Sequence, residues 1–596
     1  MKKIIYIIVP CIMVFFTSCE DEFIDLTPPS SITDNVYYTE AEHFLTGSNR
    51  FYASLMGWGD QGIFSDHGSD LAGFFEGGDM QEYGRGETLA PVDDNYYTDT
   101  YEVIRDINLL LERSESYTGV ESITEYVAAS KFHRAYQYFF LVQRFGGVTL
   151  VTSSLDVNSP ELYAPRNSRY EVVAQIIADL DDAITGLPNE TSIGGEDKGK
   201  ISKEAAMAFK AKVLLHEATW MKYVGTATDG DGVSNGAGSA GFEAANITAY
   251  LEEVVTLSQS VMNSNAFELW NYNDALDNLS SNFLFNLEDG GSNPGGLDKA
   301  SNKEFILYGK YDFTFRQANT LVSHVYEGRL KPSRKMMDLF LCDDGLPIDK
   351  SDKFLGYDNT PDEFQNRDYR MRAYFTYHRN LGEIPQNGDV LLNGTNNYGY
   401  FNSKFMSWNW GGTAEAYRVT KTEAYDIPLL RLAEVYLMYA EALYELNGNL
   451  TDGQMNESIN LIKARAGLPA LTNAFLNVNG MDIETEIRRE RAIELYAEAG
   501  SRYSDLRRWG GIAEQELGEA VYGAVIEGTI YEGNDALYTP SSYSHSPEST
   551  TTGVGMRECL VIQPASTRNF SIDNYLFPLP TSQLGLNDSL LQNPGY

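Results

Sequence analysis

Residues 122–145, SITEYVAASKFHRAYQYFFLVQRF, form one long apolar helical run that stops at Gly146-Gly147. Gly-Gly supplies the left-handed or extended backbone with which helices commonly end. A helix this apolar must bury itself against others, so the run dictates a helical layer architecture. Residues 96–113 repeat the pattern, with Tyr97, Tyr101, Ile104 and Ile107 spaced as one helix face. Further helices are predicted at 168–186, 202–222, 245–264, 424–447, 451–466 and 482–500. Small residues recur where paired helices would cross: Ala128, Ala129 and Ala135; Ala205, Ala206, Ala208 and Ala211; Ala433, Ala440 and Ala442. Close helix pairs of the tetratricopeptide kind need such residues, although the strict 34-residue consensus is absent. The predicted fold class is therefore mostly α: TPR-like helix pairs form a scaffold, and a large, irregular, loop-rich ligand-binding subdomain contains short strands. A nonrepetitive helical bundle is the alternative.

Irregular stretches separate the helices. Residues 57–92 are rich in Gly, Asp and aromatics, and 225–243 in Gly, Asp and Ala, which reads as a mobile insertion. Residues 266–423 carry short strand signals among many turns, and 523–575 read as a further loop region. Binding residues concentrate on loops held by a rigid scaffold.

The N-terminus, MKKIIYIIVPCIMVFFTSC, has Lys2 and Lys3 before an apolar stretch too short to span a bilayer. Thr17 and Ser18 then precede Cys19, in the manner of a bacterial lipobox. Residues 1–18 are expected to be a lipoprotein signal peptide and 19–35 a tether lipidated at Cys19. Residues 36–596 form a single body, with helix pairs at about 94–265 and 424–510 and loop-rich regions at about 57–92 and 266–423. Several acyl chains on Cys19, at about 0.8 kcal/mol per buried CH₂, would make attachment effectively permanent. Glu20-Asp21-Glu22 resembles an export signal toward the outer cell surface.

The formal charge is −39, with 84 acidic and 45 basic residues. That field repels phosphate backbones, so nucleic acid is not an expected partner. Among catalytic signatures, the seven histidines show no metal spacing and no Walker loop occurs. No catalytic residue, metal site or cofactor is expected. Asp229 and Asp231 beside Gly230 and Gly232 hint at calcium, but the rest of a calcium loop is missing. The pairs Asp93-Asp94, Asp181-Asp182 and Asp343-Asp344 read as capping or solvated carboxylates. Cys342 and Cys559 leave a disulfide open, because their spacing matches no known framework.

Residues 486–510, EIRRERAIELYAEAGSRYSDLRRWG, resemble a signature block of the SusD/RagB family, with Glu490, Arg491, Glu494, Leu495, Arg502, Asp505, Leu506, Arg507 and Trp509 in place. Ala499-Gly500 stands where the family commonly has Glu-Gly. Residues 427–446, 459–469, 332–349 and 366–372 resemble further blocks in family order, as does the ending NYLFPLPTSQLGLNDSLLQNPGY. Read as residues alone, Glu490, Glu494 and their arginines are a structural charge network, with Arg488, Arg489 and Arg491 pairing Glu486, Glu490 and Glu494. The resemblance implies a lipid-anchored outer-membrane protein facing the cell exterior. It would bind an oligosaccharide or polysaccharide without catalysis and deliver it to a SusC-like TonB-dependent transporter. A peptide-capturing lid and a secreted glycoside hydrolase are the alternatives.

A sugar ring offers an apolar face that flat aromatics cover and hydroxyls that polar side chains bond. The chain has 39 Tyr and 29 Phe. The resemblance carries over two loop regions and no individual ligand residue. The first offers Phe74, Phe75 and Tyr83 with Asp70 and Arg85; the second offers Trp270, Tyr272, Tyr311 and Phe313 with Arg316. Trp408 and Trp410 form a third candidate. Phe74-Phe75 leads, since two adjacent phenylalanines in a glycine-rich loop cannot easily both point inward.

Overall fold

A computed structural model of the chain describes residues 37–58, 66, 68–74, 82–318, 330–376, 399–406, 422–499, 501–534, 549–552 and 555–596. The leader, the Cys19 anchor and the tether lie outside the described residues, as do Phe75, Trp408 and Trp410.

The longer helices follow the sequence pattern closely. They are α1 (Ala41–Arg50), α2 (Asn95–Glu115), α3 (Thr124–Phe145), α4 (Arg169–Gly186), α5 (Lys203–Tyr223) and α6 (Ala245–Met262). After a long irregular stretch come α7 (Leu432–Asn447), α8 (Ile483–Glu494) and α9 (Ser501–Arg508). Their ends have identifiable causes. Gly146, at φ 74°, ends α3. Ser168 and Glu171 form a capping box at the start of α4, and the Ser202 hydroxyl accepts the Ala205 N–H at the start of α5. Helix α3 packs on α4, α5 on α6, and α6 on the sequence-distant α7. All ten alanines named above are buried, so the backbones approach closely at these crossings.

Strands are short and antiparallel: β1 (Ala72–Phe74) with β3 (Leu330–Pro332), β2 (Phe305–Gly309) with β6 (Ile427–Arg431), and β4 (Phe375–Thr376) with β5 (Phe401–Asn402). A three-stranded sheet has β9 (Gly555–Gln563) between β7 (Val521–Val525) and β8 (Ser549–Thr552).

Four expectations are corrected. The helix expected from 424 begins only at Leu432, because 427–431 form β6; all five of its residues are buried, and a continuous apolar run cannot separate strand from helix. Pro428, a poor helix-interior residue, was the signal against it. The helix expected at 451–466 breaks at Ser458, whose φ of −138° and ψ of −103° are not helical. The helix expected at 482–500 stops at Glu494, and Ala497 and Ala499 take φ values of 60° and 48°. That conformation costs an alanine about 1 kcal/mol or more; it persists because the buried Asp66 carboxylate accepts the N–H groups of Ala497 and Arg502. The loop expected at 523–575 contains most of the three-stranded sheet.

The 225–243 segment, expected as a mobile insertion, is a defined glycine turn. Gly230 and Gly236 pair as an isolated bridge, and the Gly236 N–H donates to the Gln592 carbonyl near the C-terminus. A Cβ on Gly236 would lie 1.9 Å from the Asp229 carbonyl oxygen.

The charge network is structural, but its pairings are mostly long-range. Glu494 pairs with Arg370 (2.8 Å), Arg431 (2.6 Å) and Arg465; Glu490 pairs with Arg370. Arg431 also holds Glu304 at 2.8 Å and Glu498 at 2.7 Å, and Lys404 holds Glu498 at 2.6 Å. Arg491 reaches Asp505 at 2.9 Å, whereas the expected local partners engage only Arg489, through Glu486 at 3.2 Å. These guanidiniums outweigh the burial that would raise the Glu494 carboxyl, and hold it well below the usual carboxylate range.

Candidate functional site

Strand β2 leads into a turn at 310–318 that is built around Asp312. Its carboxylate accepts the N–H groups of Thr314 at 2.6 Å and Phe315 at 2.5 Å, which holds its pKa below the ordinary value. The Asp312 N–H donates to the Arg316 carbonyl at 2.8 Å and closes the turn. With backbone groups satisfied inside the turn, two aromatic side chains are left outside it: Phe313 is 49% exposed and Phe315 is 92% exposed. Exposing an apolar ring has a solvation cost, and two such rings separated only by Thr314 make a candidate contact surface.

The base of the turn is rigid. The Tyr311 ring is buried, its hydroxyl accepts the Trp58 N–H at 2.9 Å, and its own N–H donates to Asp426 at 2.8 Å. Lys299 bonds Asp426 at 2.6 Å and the Tyr311 carbonyl at 2.5 Å. Burial raises the Asp426 carboxyl above its ordinary value, with Lys299 opposing. On the outer side the Arg316 guanidinium lies 4.4 Å over the Tyr311 ring, a cation–π contact.

A cleft of about 260 Å³ opens beside this turn. One wall is Tyr308, Lys310 and Arg316; the other comes from the end of α1 and the turn at 195–200. Gly199 takes φ +102°, and a Cβ there would come within 3.3 Å of the Lys310 side chain. Glycine thus lets the two walls approach. Tyr52 completes the floor, its hydroxyl accepting the Ile201 N–H at 2.9 Å. Aromatic rings beside convergent polar groups suit a ligand with apolar faces and a polar rim.

The predicted ligand residues divide. Tyr311, Phe313 and Arg316 come together here, Phe313 and Arg316 open to solvent and Tyr311 as a buried support. Asp70 is corrected: it is buried in a bidentate pair with Arg502, at 2.9 and 2.7 Å, and those bonds plus Lys335 hold its carboxyl well down despite burial. Trp270 is corrected too: it is a core side chain, its indole N–H bonded to Ser301 at 3.1 Å. Tyr83 packs edge-on against Tyr503, with ring centroids 4.8 Å apart, and Arg85 is held by Glu87 at 2.6 Å. Tyr272 is partly exposed but leans on Trp270, in a turn bonded to Ser280 and Arg465. The Phe74 backbone lies in β1 opposite Leu330. Sequence reasoning passed over Lys310, Lys198 and Lys200; a lysine-bearing turn in an acid-rich chain was the available signal.

A second cavity, of about 90 Å³, lies among α3, α5, α7 and α9 and is lined partly by the charge network. Asp231, hinted at for calcium, accepts the N–H groups of Val233, Ser234 and Asn235. Among the described residues no three His, Cys, Asp or Glu side chains are arranged to hold a metal. Cys342 and Cys559 are free, buried thiols in one apolar cluster with Tyr357; burial pushes the Cys559 thiol up to about 12. Among the described residues no helix is long and apolar enough to cross a membrane.

Two family models match the chain. One, described as the SusD family, matches residues 308–596; the other, described as starch-binding associating with outer membrane, matches residues 24–215. The chain is 23% identical to a SusD-like protein of Bacteroides ovatus over 519 residues, 83% of this chain and 80% of that one. It is also 23% identical to a SusD-like protein of Formosa agariphila, over 85% of this chain and 90% of that one. Among solved structures, a SusD-like carbohydrate-binding protein of Bacteroides fragilis superposes with TM-score 0.69 at 20% identity, covering 93% of this chain and 99% of that one. A laminarin-binding SusD-like protein superposes with TM-score 0.55 at 20% identity, covering 94% and 100%.

Proposed function

Since the chain belongs to the SusD-like family, we propose that it is a non-catalytic glycan receptor of the outer cell surface. It captures an oligosaccharide or polysaccharide in the 310–318 cleft and passes it to a TonB-dependent outer-membrane transporter. Cys19 carries the lipid that holds it at the outer membrane. The observation that carries this reading is the Asp312-locked turn, which leaves Phe313 and Phe315 exposed to solvent while its Arg316 lines the cleft. Rings so placed can cover a sugar face, and Lys310, Arg316 and the cleft's polar groups can bond the rim. The description of the second family model supports both the carbohydrate ligand and the association with the outer membrane.

The test is electrophoresis of the purified protein through gels containing a panel of polysaccharides, with the glycans analysed afterwards. Slowed migration with unchanged polysaccharide is the expected result. Release of shortened products would overturn the non-catalytic reading. Retention by peptides and by no glycan would favour a peptide-capturing lid. Phe313→Ala combined with Phe315→Ala is expected to weaken retention several-fold, by about 1 kcal/mol or more. For the delivery step, detergent extraction of the native lipoprotein is expected to co-purify a TonB-dependent barrel. A Cys19→Ala chain is expected in the soluble fraction instead.

A further inference from the structure

Resting on the receptor reading, we infer that the captured glycan is acidic, bearing uronate carboxylates or sulfate esters that the 310–318 cleft binds through Lys310 and Arg316.

The chain has 84 acidic residues against 45 basic ones, so a cation on its surface has carboxylates to choose from. The cleft inverts that balance: four basic side chains and two acidic ones line it. Lys198 and Lys200 are neutralised by Glu190 at 2.6 Å and Asp197 at 2.9 Å. Lys310 and Arg316 are not. Among the described residues neither has a carboxylate within ion-pair reach. The Lys310 ammonium approaches only the Glu196 carbonyl, at 3.4 Å, and an Arg316 N–H only the Lys310 carbonyl, at 3.4 Å.

The geometry of Arg316 adds direction. The Tyr311 ring, 4.4 Å from the guanidinium carbon, holds the Arg316 cation at the cleft wall. A guanidinium fork matches two oxygens of a carboxylate or sulfate, whereas hydroxyls of a neutral sugar use it one bond at a time. Lys310, on the same wall and exposed, adds a point charge that needs no fixed orientation. The net charge of −39 repels an anionic polymer at long range, so capture of one needs a local cationic patch within about a Debye length. The cleft is such a patch, and the exposed Phe313 and Phe315, in the turn that carries Arg316, offer the apolar contact that sugar rings of either charge require.

Calorimetric titration of the full mature chain in detergent tests this, with three probes of similar length. They are alginate oligosaccharides for uronates, carrageenan oligosaccharides for sulfates, and neutral β-glucan oligosaccharides. The expected result is at least a tenfold preference for an acidic probe over the neutral one; which acidic probe wins identifies the group. Lys310→Gln combined with Arg316→Gln should reduce acidic binding about tenfold or more, and by a clearly larger factor than it reduces neutral binding. Both side chains reach solvent, and an unchanged thermal midpoint would show the variant folded. Equal or tighter neutral binding, unaffected by the variant, overturns the acidic assignment and leaves the receptor standing. Acidic binding that the variant leaves unchanged also overturns the assignment to this cleft. Binding of no glycan, acidic or neutral, across a broad panel overturns the receptor reading itself and the inference with it.

Discussion

Asp70 and Arg502 are separated by 432 positions and meet as a buried bidentate pair. Removing one partner strands the other charge in the interior, which costs far more than an exposed pair is worth. Asp70→Asn is therefore expected to lose about 3–5 kcal/mol of stability by urea unfolding. Asp70→Leu combined with Arg502→Met should recover much of that loss, because no uncompensated charge remains. Within its own loop Asp70 looks like any polar residue beside aromatics, which is why the sequence suggests a ligand role. Trp270 is the same case: a tryptophan flanked by Asn271 and Tyr272 can be platform or core, and its buried indole, bonded to Ser301, decides for core. Phe313 and Phe315 lie at the other extreme. Their replacement by alanine should leave the thermal midpoint nearly unchanged, within about 0.5 kcal/mol, while glycan retention falls.

At the scale of elements, α5 is buried on nearly every face, with Ala205, Ala206, Ala208 and Ala211 all inaccessible. Its seat between α4, α6 and α7 leaves no room for a larger side chain. Ala211→Leu is expected to cost about 1–3 kcal/mol through overpacking, read as a lower urea midpoint. The glycine turn at 225–243 is similarly intolerant. Gly236→Ala adds a Cβ against the Asp229 carbonyl at a φ of +67°, and should lower the thermal midpoint by loosening the turn from the C-terminal segment. Helices α2 to α6 were legible because each carries a helical apolar period, reinforced in α4 and α5 by the Ser168 and Ser202 caps and in α3 and α5 by alanines. Strand β6 was not, because a fully buried strand loses the alternation that identifies strands. The candidate turn was legible as a region and, through Tyr311, Phe313 and Arg316, in part by residue. What was hidden was which of these rings faces outward, since that depends on the Asp312 hydrogen bonds and on Trp58 arriving from another part of the chain.

At the scale of the whole molecule, stability depends on pH through groups that burial has shifted in opposite directions. His133 is fully buried, its ring nitrogens lack partners among the described residues, and burial pushes its pKa down to about 3. His216 is shifted well down, by burial first and then by Arg169, Arg508, Arg507 and Lys212. The unfolded chain takes up these protons below about 6.5 and the folded chain does not. Stability from these histidines is therefore full above about 6.5 and lost as pH falls. Asp66 acts in reverse: burial raises its carboxyl to about 7 against the N–H groups of Ala497 and Arg502. Its contribution is present below its unfolded value near 3.8 and lost as pH rises toward 7. Between pH 6.5 and 5 His133 costs about 2 kcal/mol on acidification and Asp66 offsets about as much, while His216 adds a further loss in the same direction as His133. The thermal midpoint should thus fall from pH 6.5 to 5, less steeply in His133→Phe and more steeply in Asp66→Asn. A wild-type midpoint independent of pH over that range would contradict this assignment.

The helical scaffold, its caps and its alanine crossings were determined by the sequence alone, because they rest on neighbours three to four residues apart. So was the family, whose blocks are contiguous stretches. The tertiary structure alone decided which buried carboxylate meets which guanidinium, that 427–431 pair as a strand, and that the helix after Asp482 ends at Glu494. It also decided that Lys310 and Arg316, without a carboxylate partner among the described residues, line one cleft. These outcomes depend mainly on groups tens to hundreds of residues apart, and the free energy of bringing them together is not written in any local period.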